Sequence, residues 1–398
     1  MDNKVICILP YTHCLVQTDG KIKLCCNSIE VDNPSIFDQD FNNLINNELH
    51  VKVRNQMENN VEPIECQRCF ELERNNIISY RQEQNYINRD KEFVVGLTYL
   101  DVRFNNVCNL KCVMCSSNYS TAWVEDEIKL SKTNNATVKT DMDSRISFYD
   151  KNSYKWSIEN SILDSIKANV STLERIHFAG GEPLLSKEHN QLLEYLVTHG
   201  YSKNLLISYN TNITLITKDI IELWNQFKHV KVFLSIDGIG SVLEYVRYPI
   251  RFTDVENVFN MIQTHSNDNI RYVFHYTLHA LNISSLPQFI EYKIKLPYNK
   301  ISPNELFTVD TVYSPKYLDI NILPKTLIDN VLNELKLLID KYPLHSNTIN
   351  KIMDKIILAS NKPTTLTVND LVDYCIELDR VRKTDRSIVL EPILKFVE

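Results

Sequence analysis

The chain has 398 residues, enough for a full-sized hydrophobic core, and its 43% hydrophobic and 23% charged residues are typical of a soluble globular protein. Its formal net charge of −7 argues against a nucleic-acid partner, because phosphate contacts require clustered lysine and arginine. No run reaches the roughly 18 apolar residues of a membrane span, and the apolar start of the chain is too short for a signal peptide. We therefore expect a cytoplasmic protein with no membrane partner.

The ten cysteines are grouped rather than scattered. Because the cytoplasm keeps thiols reduced, grouped cysteines in such a chain point to metal binding rather than to disulfides. Three lie close together in the first third of the chain, six precede residue 70, and Cys375 stands alone. The grouped cysteines are, in chain order, Cys7, Cys14, Cys25, Cys26, Cys66, Cys69, Cys108, Cys112 and Cys115.

Three regions follow one another along the chain. Residues 1–92 hold the six early cysteines and little regular periodicity, apart from a hairpin expected at Asp19-Gly20. Residues 93–308 alternate short β-rich runs with segments of helical spacing, which indicates βα units on a parallel sheet and hence an α/β fold. Residues 309–398 have the apolar spacing of helices. Within the middle region, the polar stretch 131–155 predicts a loop excursion.

The alternation in the middle region predicts individual elements. Each β-rich run is short and is followed by polar or glycine-containing residues, as expected where a strand ends. The β-rich runs are residues 96–104, 174–180, 204–212, 229–237 and 270–278, and the helical segments include residues 188–199, 217–227 and 253–264.

A C-x3-C-x2-C cluster follows the first predicted strand and consists of Cys108, Cys112 and Cys115, called here the triad. Thiolates favour soft metals and Fe–S clusters. Three thiolates on one loop can hold three irons of a cubane and leave the fourth iron open for chemistry. Two other interpretations remain: three unrelated core cysteines, or a structural zinc site that joins half of the triad to Cys66-x2-Cys69.

Two of the seven glycines, Gly180 and Gly181, stand side by side at the end of a predicted strand and are called here the glycine pair. Paired glycines allow a ligand to approach the backbone closely, and the carboxylate of the next residue, Glu182, can receive a cationic group. Taken alone, the motif would also fit an ordinary strand-to-helix turn.

Polar residues close the next two predicted strands. Asn210 and Asn212 end one, and Ser235 and Asp237 end the other. Polar side chains at the C-terminal ends of barrel strands face the active site, although each of these could instead cap the following helix. Arg247 comes shortly after, and it could pair with a carboxylate in the cleft or form a surface salt bridge.

The loop Cys108-Asn-Leu-Lys-Cys112-Val-Met-Cys115 resembles the signature of the radical SAM superfamily. The resemblance implies a partial (β/α)6 TIM-like barrel and a [4Fe–4S] cluster held by the triad, whose open iron binds S-adenosylmethionine (SAM). It also implies that an electron from a reductant such as ferredoxin or flavodoxin cleaves SAM. The resulting 5′-deoxyadenosyl radical would then abstract a hydrogen atom from the substrate.

The same resemblance assigns SAM contacts near the first strands. The glycine pair, Gly180 and Gly181, together with Glu182 resembles the superfamily's GGE motif, which contacts the methionine amino group. Met114 stands where the superfamily often has an aromatic residue, and its backbone is expected to meet the adenine.

Later strand ends resemble the positions that contact the ribose and carboxylate of SAM. The candidates are Asn210, Asn212 and Ser235, with Asp237 as a weaker one. Ile213 replaces the glycine that usually follows Thr-Asn in the family.

The N-terminal region resembles the SPASM and twitch modules, which hold auxiliary Fe–S clusters in radical SAM enzymes. Those modules usually follow the barrel, whereas here the hairpin and the C-x2-C pair precede it, as in radical SAM proteins described as twitch-domain-containing. The resemblance covers most of the chain to about residue 325. It favours four ligands for an auxiliary cluster, called here the N-terminal quartet: Cys7, Cys25, Cys66 and Cys69.

Six early cysteines exceed what one cluster needs. Cys14 and Cys26 would then be spare or substitute ligands. A zinc knuckle built from the same residues is the main alternative, followed by loose structural thiols. Cys375, in a predicted C-terminal helix, is expected to be a buried apolar residue.

The sequence therefore predicts a radical SAM enzyme with three parts: a cysteine-rich twitch- or SPASM-like module over residues 1–92, the partial barrel over 93–308, and a helical C-terminal extension over 309–398. The expected substrate is a peptide, a protein or a small molecule. The alternative class is a non-catalytic adaptor that binds zinc or an Fe–S cluster. Iron with acid-labile sulfide would favour the enzyme, and zinc without sulfide would favour the adaptor.

Overall fold

The computed structural model describes residues 5–29, 33–36, 41–149, 155–156, 162–301, 307–312 and 314–397. The strands in these ranges are β1 (His13–Val16), β2 (Ile22–Lys23), β3 (Tyr99–Val102), β4 (Arg175–Phe178), β5 (Leu206–Thr211), β6 (His229–Ser235), β7 (Ile270–Leu278) and β8 (Thr308–Thr311). They form an eight-stranded sheet in the order β2-β1-β3-β4-β5-β6-β7-β8. All five strands predicted from the β-rich runs are present, and the α/β class is confirmed.

Four strand pairings are parallel, and the pairing at the N-terminal edge is antiparallel. β1 pairs in parallel with β3, β3 with β4, and β4 with β5, so that Asp101 lies opposite His177, which lies opposite Ser208. β7 and β8 are also parallel. β1 and β2 are antiparallel, and Gly20 between them has φ +79°, a conformation that glycine adopts without steric cost. The predicted Asp-Gly hairpin is therefore confirmed.

Helices connect the strands, as parallel pairing requires. In the first half of the chain they are α1 (Leu9–Thr12), α2 (Glu48–Glu58), α3 (Gln67–Arg74), α4 (Tyr80–Ile87), α5 (Trp123–Leu130), α6 (Ala136–Phe148), α7 (Ile162–Asn169) and α8 (Lys187–Thr198). In the second half they are α9 (Lys218–Trp224), α10 (Gly240–Val246), α11 (Phe252–His265), α12 (Leu286–Lys295), α13 (Lys325–Lys341), α14 (Ser346–Ser360), α15 (Val368–Arg382) and α16 (Ser387–Leu394). No helix among the described residues is both long and apolar enough to cross a bilayer.

The prediction of a loop excursion over residues 131–155 is wrong for α6. This helix begins at a capping residue, Asn135, whose side-chain oxygen accepts a hydrogen bond from the backbone N–H of Val138 at 2.9 Å. Its sequence is polar on most sides, so the apolar period that reveals a helix is missing. Residues 150–154, also within the stretch, lie outside the described residues.

The chain divides into two compact units. One comprises residues 1–106, 150–209 and 226–230, and the other comprises residues 107–149, 210–225 and 231–398. The three-part division at residues 92 and 308 is a separate, sequence-based division, and it stays a prediction.

The C-terminal region is helical, as predicted. In α13 the residues Leu327, Val331 and Leu335 are spaced four apart and are almost fully buried, which is the pattern of a helix that packs one face against the core. Cys375 lies in α15 and is completely buried, which confirms that it is a core residue.

Candidate active site

The triad lies on a loop that neighbouring backbone holds in a fixed register. The N–H of Lys111 donates to the carbonyl of Tyr248 at 2.7 Å, and the N–H of Val113 donates to the carbonyl of Val246 at 2.8 Å. From the first bond to the second, the triad loop advances by two residues and the partner segment goes back by two, so the two segments run antiparallel. Cys112 therefore lies opposite Arg247. The loop is thus fixed by the segment that follows α10.

Side chains from α5, α6 and α15 bind three backbone carbonyls of this loop. The indole Nε1 of Trp123 donates to the carbonyl of Cys112 at 2.9 Å, and Arg145 Nη1 donates to that of Cys115 at 3.0 Å. The hydroxyl of Tyr374, from α15, donates to the carbonyl of Val113 at 3.2 Å. Each of these three bonds is made to a backbone carbonyl and so fixes the backbone of the loop.

The three thiols of the triad are close neighbours in a buried environment. The pKa of Cys112 is raised to about 11, mainly by burial. Arg247 opposes this rise, and the neighbouring Cys108 adds to it. Burial is also the main cause of the raised pKa of Cys115, followed by the other two thiols. Such thiols ionise only when a cation compensates the charge, which is the chemistry of a metal-binding group.

No three His, Cys, Asp or Glu side chains among the described residues converge closely enough to hold a single metal ion. In a [4Fe–4S] cluster, by contrast, each cysteine binds a different iron, so that the sulfurs surround a larger group. The donor set of the triad, three adjacent thiols on one fixed loop, fits such a cluster.

Asn212 contacts the triad directly. Its side-chain Nδ2 donates to the sulfur of Cys108 at 3.7 Å and to Asn109 Oδ1 at 2.8 Å. Asn212 is buried, whereas Asn210, two residues earlier on β5, is exposed. Of the two asparagines predicted at this strand end, the structure brings Asn212 to the triad.

The residue after Asn212 has an unusual backbone conformation. Ile213 has φ +78° and is completely buried. A β-branched residue rarely adopts this left-handed conformation, which costs an L-residue roughly 1–2 kcal/mol. Position 213 therefore has a backbone conformation that glycine adopts without steric cost, although its side chain is isoleucine.

Arg247 and Asp237 form a buried ion pair, so the surface salt bridge considered for Arg247 is excluded. Arg247 Nε lies 2.6 Å from Asp237 Oδ2, and the two side chains are 8% and 0% exposed. The other end of the guanidinium, Nη1, donates to the sulfur of Cys112 at 3.6 Å. Ser235, at the end of the same strand β6, is half-buried, as is Met114 in the triad loop.

The glycine pair forms part of a small cleft in the other unit. Gly180 has φ +122°, and a Cβ added there would lie 2.9 Å from the carbonyl oxygen of Asn105, so no other residue fits without displacing the backbone. The N–H of Gly181 donates to the same carbonyl at 3.1 Å. The side chain of Glu182 is almost completely buried, and its Oε1 accepts a hydrogen bond from the N–H of Leu184 at 3.2 Å. The cleft lining includes Phe104, Asn105, Ala179, Gly181, Glu182 and Ser186.

The N-terminal quartet forms a second group of neighbouring thiols. The pKa of Cys7 is raised to about 12, mainly by burial and also by the neighbouring Cys69. Burial likewise raises the pKa of Cys25 to about 12, with Cys69 and Cys7 as the next causes. The pKa of Cys66 is raised by burial and then by the other three thiols. All four predicted ligands are therefore mutual neighbours.

The two remaining early cysteines differ from the quartet. Cys14 is completely buried, and after burial the only cause of its raised pKa is Asp101, not a cysteine. Cys26 is exposed. The environment of Cys14 is that of a strand residue in the core, since it lies in β1.

A protein-family model matches the middle of the chain. Residues 102–292 match the Radical SAM superfamily. This stretch of the chain is thus similar to a radical SAM domain. The domain is that of an enzyme, and its superfamily uses a [4Fe–4S] cluster and SAM. Its matched range includes the triad and the glycine pair.

Other similarities were found with one relative and with solved enzymes. The uncharacterized protein MJ0907 of Methanocaldococcus jannaschii is 25% identical over 291 residues, which cover 70% of this chain and 84% of that protein. The structure of anSMEcpe with bound AdoMet and Cp18Cys peptide is 17% identical with a TM-score of 0.38, and the match covers 62% of this chain and 60% of that chain. Streptococcus suis SuiB bound to S-adenosylmethionine is 15% identical with a TM-score of 0.36, and that match covers 78% and 54%. This chain thus spans less than two thirds of either solved chain, and likeness at this level carries no conclusion about function.

Several residues of the site have no signal in the sequence. Trp123, Arg145 and Tyr374, in α5, α6 and α15, lie 11, 30 and 261 residues after the loop carbonyls that they bind. None belongs to a motif, and α6 lies in the stretch expected to be a loop. Their role follows only from the tertiary fold.

Proposed function

We propose that this protein is a radical SAM enzyme in which Cys108, Cys112 and Cys115 hold the catalytic [4Fe–4S] cluster. The observation that carries the proposal is the triad loop, whose carbonyls are bound by distant side chains while three adjacent thiols are left as a donor set. This loop lies inside the range that matches the superfamily. When bound, the cluster and SAM supply reductive cleavage of SAM and a 5′-deoxyadenosyl radical that abstracts hydrogen from the substrate.

The residues of the chain bind and orient SAM in this proposal. The glycine pair is assigned to the close approach of the cofactor to the backbone. Packing requires glycine at Gly180 as well, because a Cβ there would lie 2.9 Å from the carbonyl oxygen of Asn105. The carboxylate of Glu182 accepts the methionine amino group, for which a buried anion is the suitable partner. Asn212 holds the sulfur of Cys108 from one side.

Three further residues complete the proposed SAM site. Asn210 and Ser235 stand at the ends of β5 and β6 and are assigned to the ribose and carboxylate. Met114, within the triad loop, is assigned to the adenine through its backbone. These assignments rest on position in the motif and on strand-end placement.

The N-terminal quartet is proposed to hold an auxiliary Fe–S cluster in a twitch- or SPASM-like module. What supports the proposal is the mutual proximity of the four thiols. The backbone on both sides of Cys7 is also fixed by α4, because Asn85 accepts from the N–H of Ile8 at 2.9 Å and Arg81 donates to the carbonyl of Ile6 at 2.8 Å. Such a module would transfer electrons or help to bind the substrate.

Iron, zinc and sulfide analysis tests the auxiliary cluster. Two cubanes require about eight irons per chain in anaerobically purified protein. Replacing both Cys66 and Cys69 by alanine should remove about four of them, because two thiolates cannot hold the cubane, and should leave the SAM-responsive cluster. The matched variant Cys14→Ala should keep all. Zinc in place of iron in the N-terminal module would contradict this part of the proposal and favour a zinc knuckle.

Four predictions made from the sequence belong to the proposal as well. The division into a module over residues 1–92, a barrel over 93–308 and an extension over 309–398 is retained. So are a cytoplasmic location, a reductant such as ferredoxin or flavodoxin, and a peptide, protein or small-molecule substrate. Activity with purified ferredoxin or flavodoxin and their reductase would test the reductant.

The triad assignment is tested by electron paramagnetic resonance (EPR) of the reduced, reconstituted protein. SAM binding to an open iron should change the spectrum of the wild type and of Cys375→Ala, since Cys375 is a buried residue of α15 outside the site. Cys112→Ala should lose the SAM-responsive signal, because two thiolates cannot hold the cubane. A SAM-responsive signal that persists in Cys112→Ala, or is lost in Cys375→Ala, would show that the ligand assignment is wrong.

A further inference from the structure

One pair of charged side chains lies against the triad and takes no part in the function proposed so far. Arg247 ends α10, and Asp237 follows β6. Both are buried, with side chains that are 8% and 0% exposed, and they face each other at 2.6 Å. Burying two charges costs several kcal/mol per ion unless their partners compensate for the lost water. The position of this pair therefore needs a reason.

The backbone fixes which cysteine Arg247 reaches. The hydrogen bonds from Lys111 to Tyr248 and from Val113 to Val246 pair the triad loop with the segment that carries Arg247. Cys112 and Arg247 are consequently opposite each other. The guanidinium Nη1 then donates to the Cys112 sulfur at 3.6 Å.

Asp237 orients the guanidinium and is itself fixed. Its Oδ1 accepts a hydrogen bond from the N–H of Thr277 at 2.6 Å, and its backbone carbonyl accepts from Asn282 Nδ2 at 3.1 Å. Its other oxygen, Oδ2, faces Arg247 Nε. The arginine is thus held at one end by a carboxylate and directed at the cysteine sulfur with the other.

We propose that Arg247, positioned by Asp237, raises the reduction potential of the cluster bound at Cys112. This inference rests on the proposed function, because it requires the triad to hold the cluster. One-electron reduction adds a negative charge to the cluster and its thiolates. A cationic donor on a ligand sulfur stabilises the reduced state more than the oxidised state, and hydrogen bonds to sulfur and local charge are known determinants of such potentials. The electron itself comes from an external one-electron donor.

A potentiometric EPR titration of the holoenzyme tests the proposal. The catalytic cluster is identified by the change of its signal on addition of SAM, and its midpoint is measured with dithionite and redox mediators. For Arg247→Gln the ratio of reduced to oxidised cluster at a fixed potential should fall about tenfold, equivalent to a midpoint about 59 mV more negative for a one-electron couple. Arg247→Lys keeps the charge without the fork of donors and should show a smaller shift.

Asp237→Asn provides a second variant with the opposite sign. It removes a negative charge from beside the guanidinium, so the midpoint should become more positive. Substitutions that only disordered the site would not shift the midpoint potentials of Arg247→Gln and Asp237→Asn in opposite directions. The matched control is Arg251→Gln, because Arg251 pairs with Glu244 at 3.2 Å on the surface and its side chain is 72% exposed. Its midpoint should equal that of the wild type.

The outcomes separate this inference from the function on which it rests. A wild type without a SAM-responsive signal would overturn both. A wild type with that signal, together with an Arg247→Gln midpoint that is unchanged at full iron content, would overturn only the role of Arg247. If Arg247→Gln fails to assemble a cluster, Arg247→Lys decides: a midpoint more negative than that of the wild type supports the role, and an unchanged or more positive one overturns it.

Discussion

The side-chain amide of Asn212 donates to the sulfur of Cys108 across 3.7 Å. The other end of that amide is also occupied, since Asn212 Oδ1 accepts hydrogen bonds from the N–H of Thr214 at 3.1 Å and from its hydroxyl at 2.7 Å. The amide orientation is therefore fixed by its own turn. Asn212, a strand-end asparagine expected to touch SAM, thus also contacts a cysteine of the triad.

Asn212→Asp should weaken retention of the catalytic cluster. The substitution keeps the shape of the side chain, removes the N–H donor and places a negative charge beside the Cys108 thiolate. Hydrogen bonds to charged groups contribute about 1.5–3 kcal/mol, so loss of iron to a chelator should be at least about tenfold faster. Asn204→Asp, an exposed residue before β5, is the matched control. Equal release rates in all three proteins would show that the Asn212 contact is unimportant.

Glu182→Gln should reduce the affinity for SAM without affecting the cluster. Glutamine can still accept the hydrogen bond from the N–H of Leu184, but it lacks the charge that would bind the methionine amino group. A charge-assisted hydrogen bond of about 1.5–3 kcal/mol corresponds to a loss of about 10- to 150-fold. SAM titrations followed by EPR measure the affinity, and iron content should stay constant. Glu188→Gln, in the first turn of α8, is the control. Wild-type affinity in Glu182→Gln would remove this residue from the site.

At position 213 the usual order of stability of alanine and glycine variants should be reversed. At most positions alanine is more stable than glycine, because glycine loses more backbone entropy on folding, by roughly 0.5–1 kcal/mol. At Ile213, with φ +78°, alanine keeps a Cβ in the left-handed conformation and glycine does not. Urea unfolding should therefore show Ile213→Gly to be about 1 kcal/mol more stable than Ile213→Ala. Both should be less stable than the wild type, because the buried side chain is lost.

The neighbouring Ile216 provides the control for that comparison. It is also buried, and its φ is not positive. There the alanine variant should be the more stable of the two. The same order at both positions would contradict the strained conformation at Ile213.

Buried histidines should make the protein less stable below neutral pH. Burial lowers the pKa of His189 to about 4, and its ring contacts Asn190 and Tyr209. The unfolded chain, with a histidine pKa near 6.5, binds the proton more readily, so stability is full above about pH 6.5 and is lost as the pH falls toward 4. The loss is roughly 1.4 kcal/mol per pH unit for each such histidine. In urea unfolding between pH 7 and 5, His189→Gln should reduce the slope by that amount. An unchanged slope would mean that His189 does not contribute.

Sequence reasoning was most successful where a local pattern determines the structure. Alternating β-rich and helical segments predicted the parallel strands, and the Asp-Gly turn predicted the hairpin around Gly20. In each case the information lies within a few residues, so the chain itself displays it.

The sequence did not reveal what long-range contacts determine. It left Arg247 open between a cleft and the surface, whereas the structure shows it paired with Asp237 and directed at Cys112. It gave no reason to select Trp123 or Tyr374, whose polar groups bind the triad loop. Such roles depend on tertiary contacts in the folded chain, and the spacing of residues along the sequence does not predict those contacts.

The production of 5′-deoxyadenosine tests the central claim most directly. Wild-type protein, reconstituted anaerobically and mixed with SAM and a strong one-electron reductant, should form 5′-deoxyadenosine, detected by liquid chromatography and mass spectrometry. Cys112→Ala should form none above the level without protein. Wild-type protein that carries a full complement of iron and sulfide yet forms no 5′-deoxyadenosine would contradict the account, as would equal formation by Cys112→Ala.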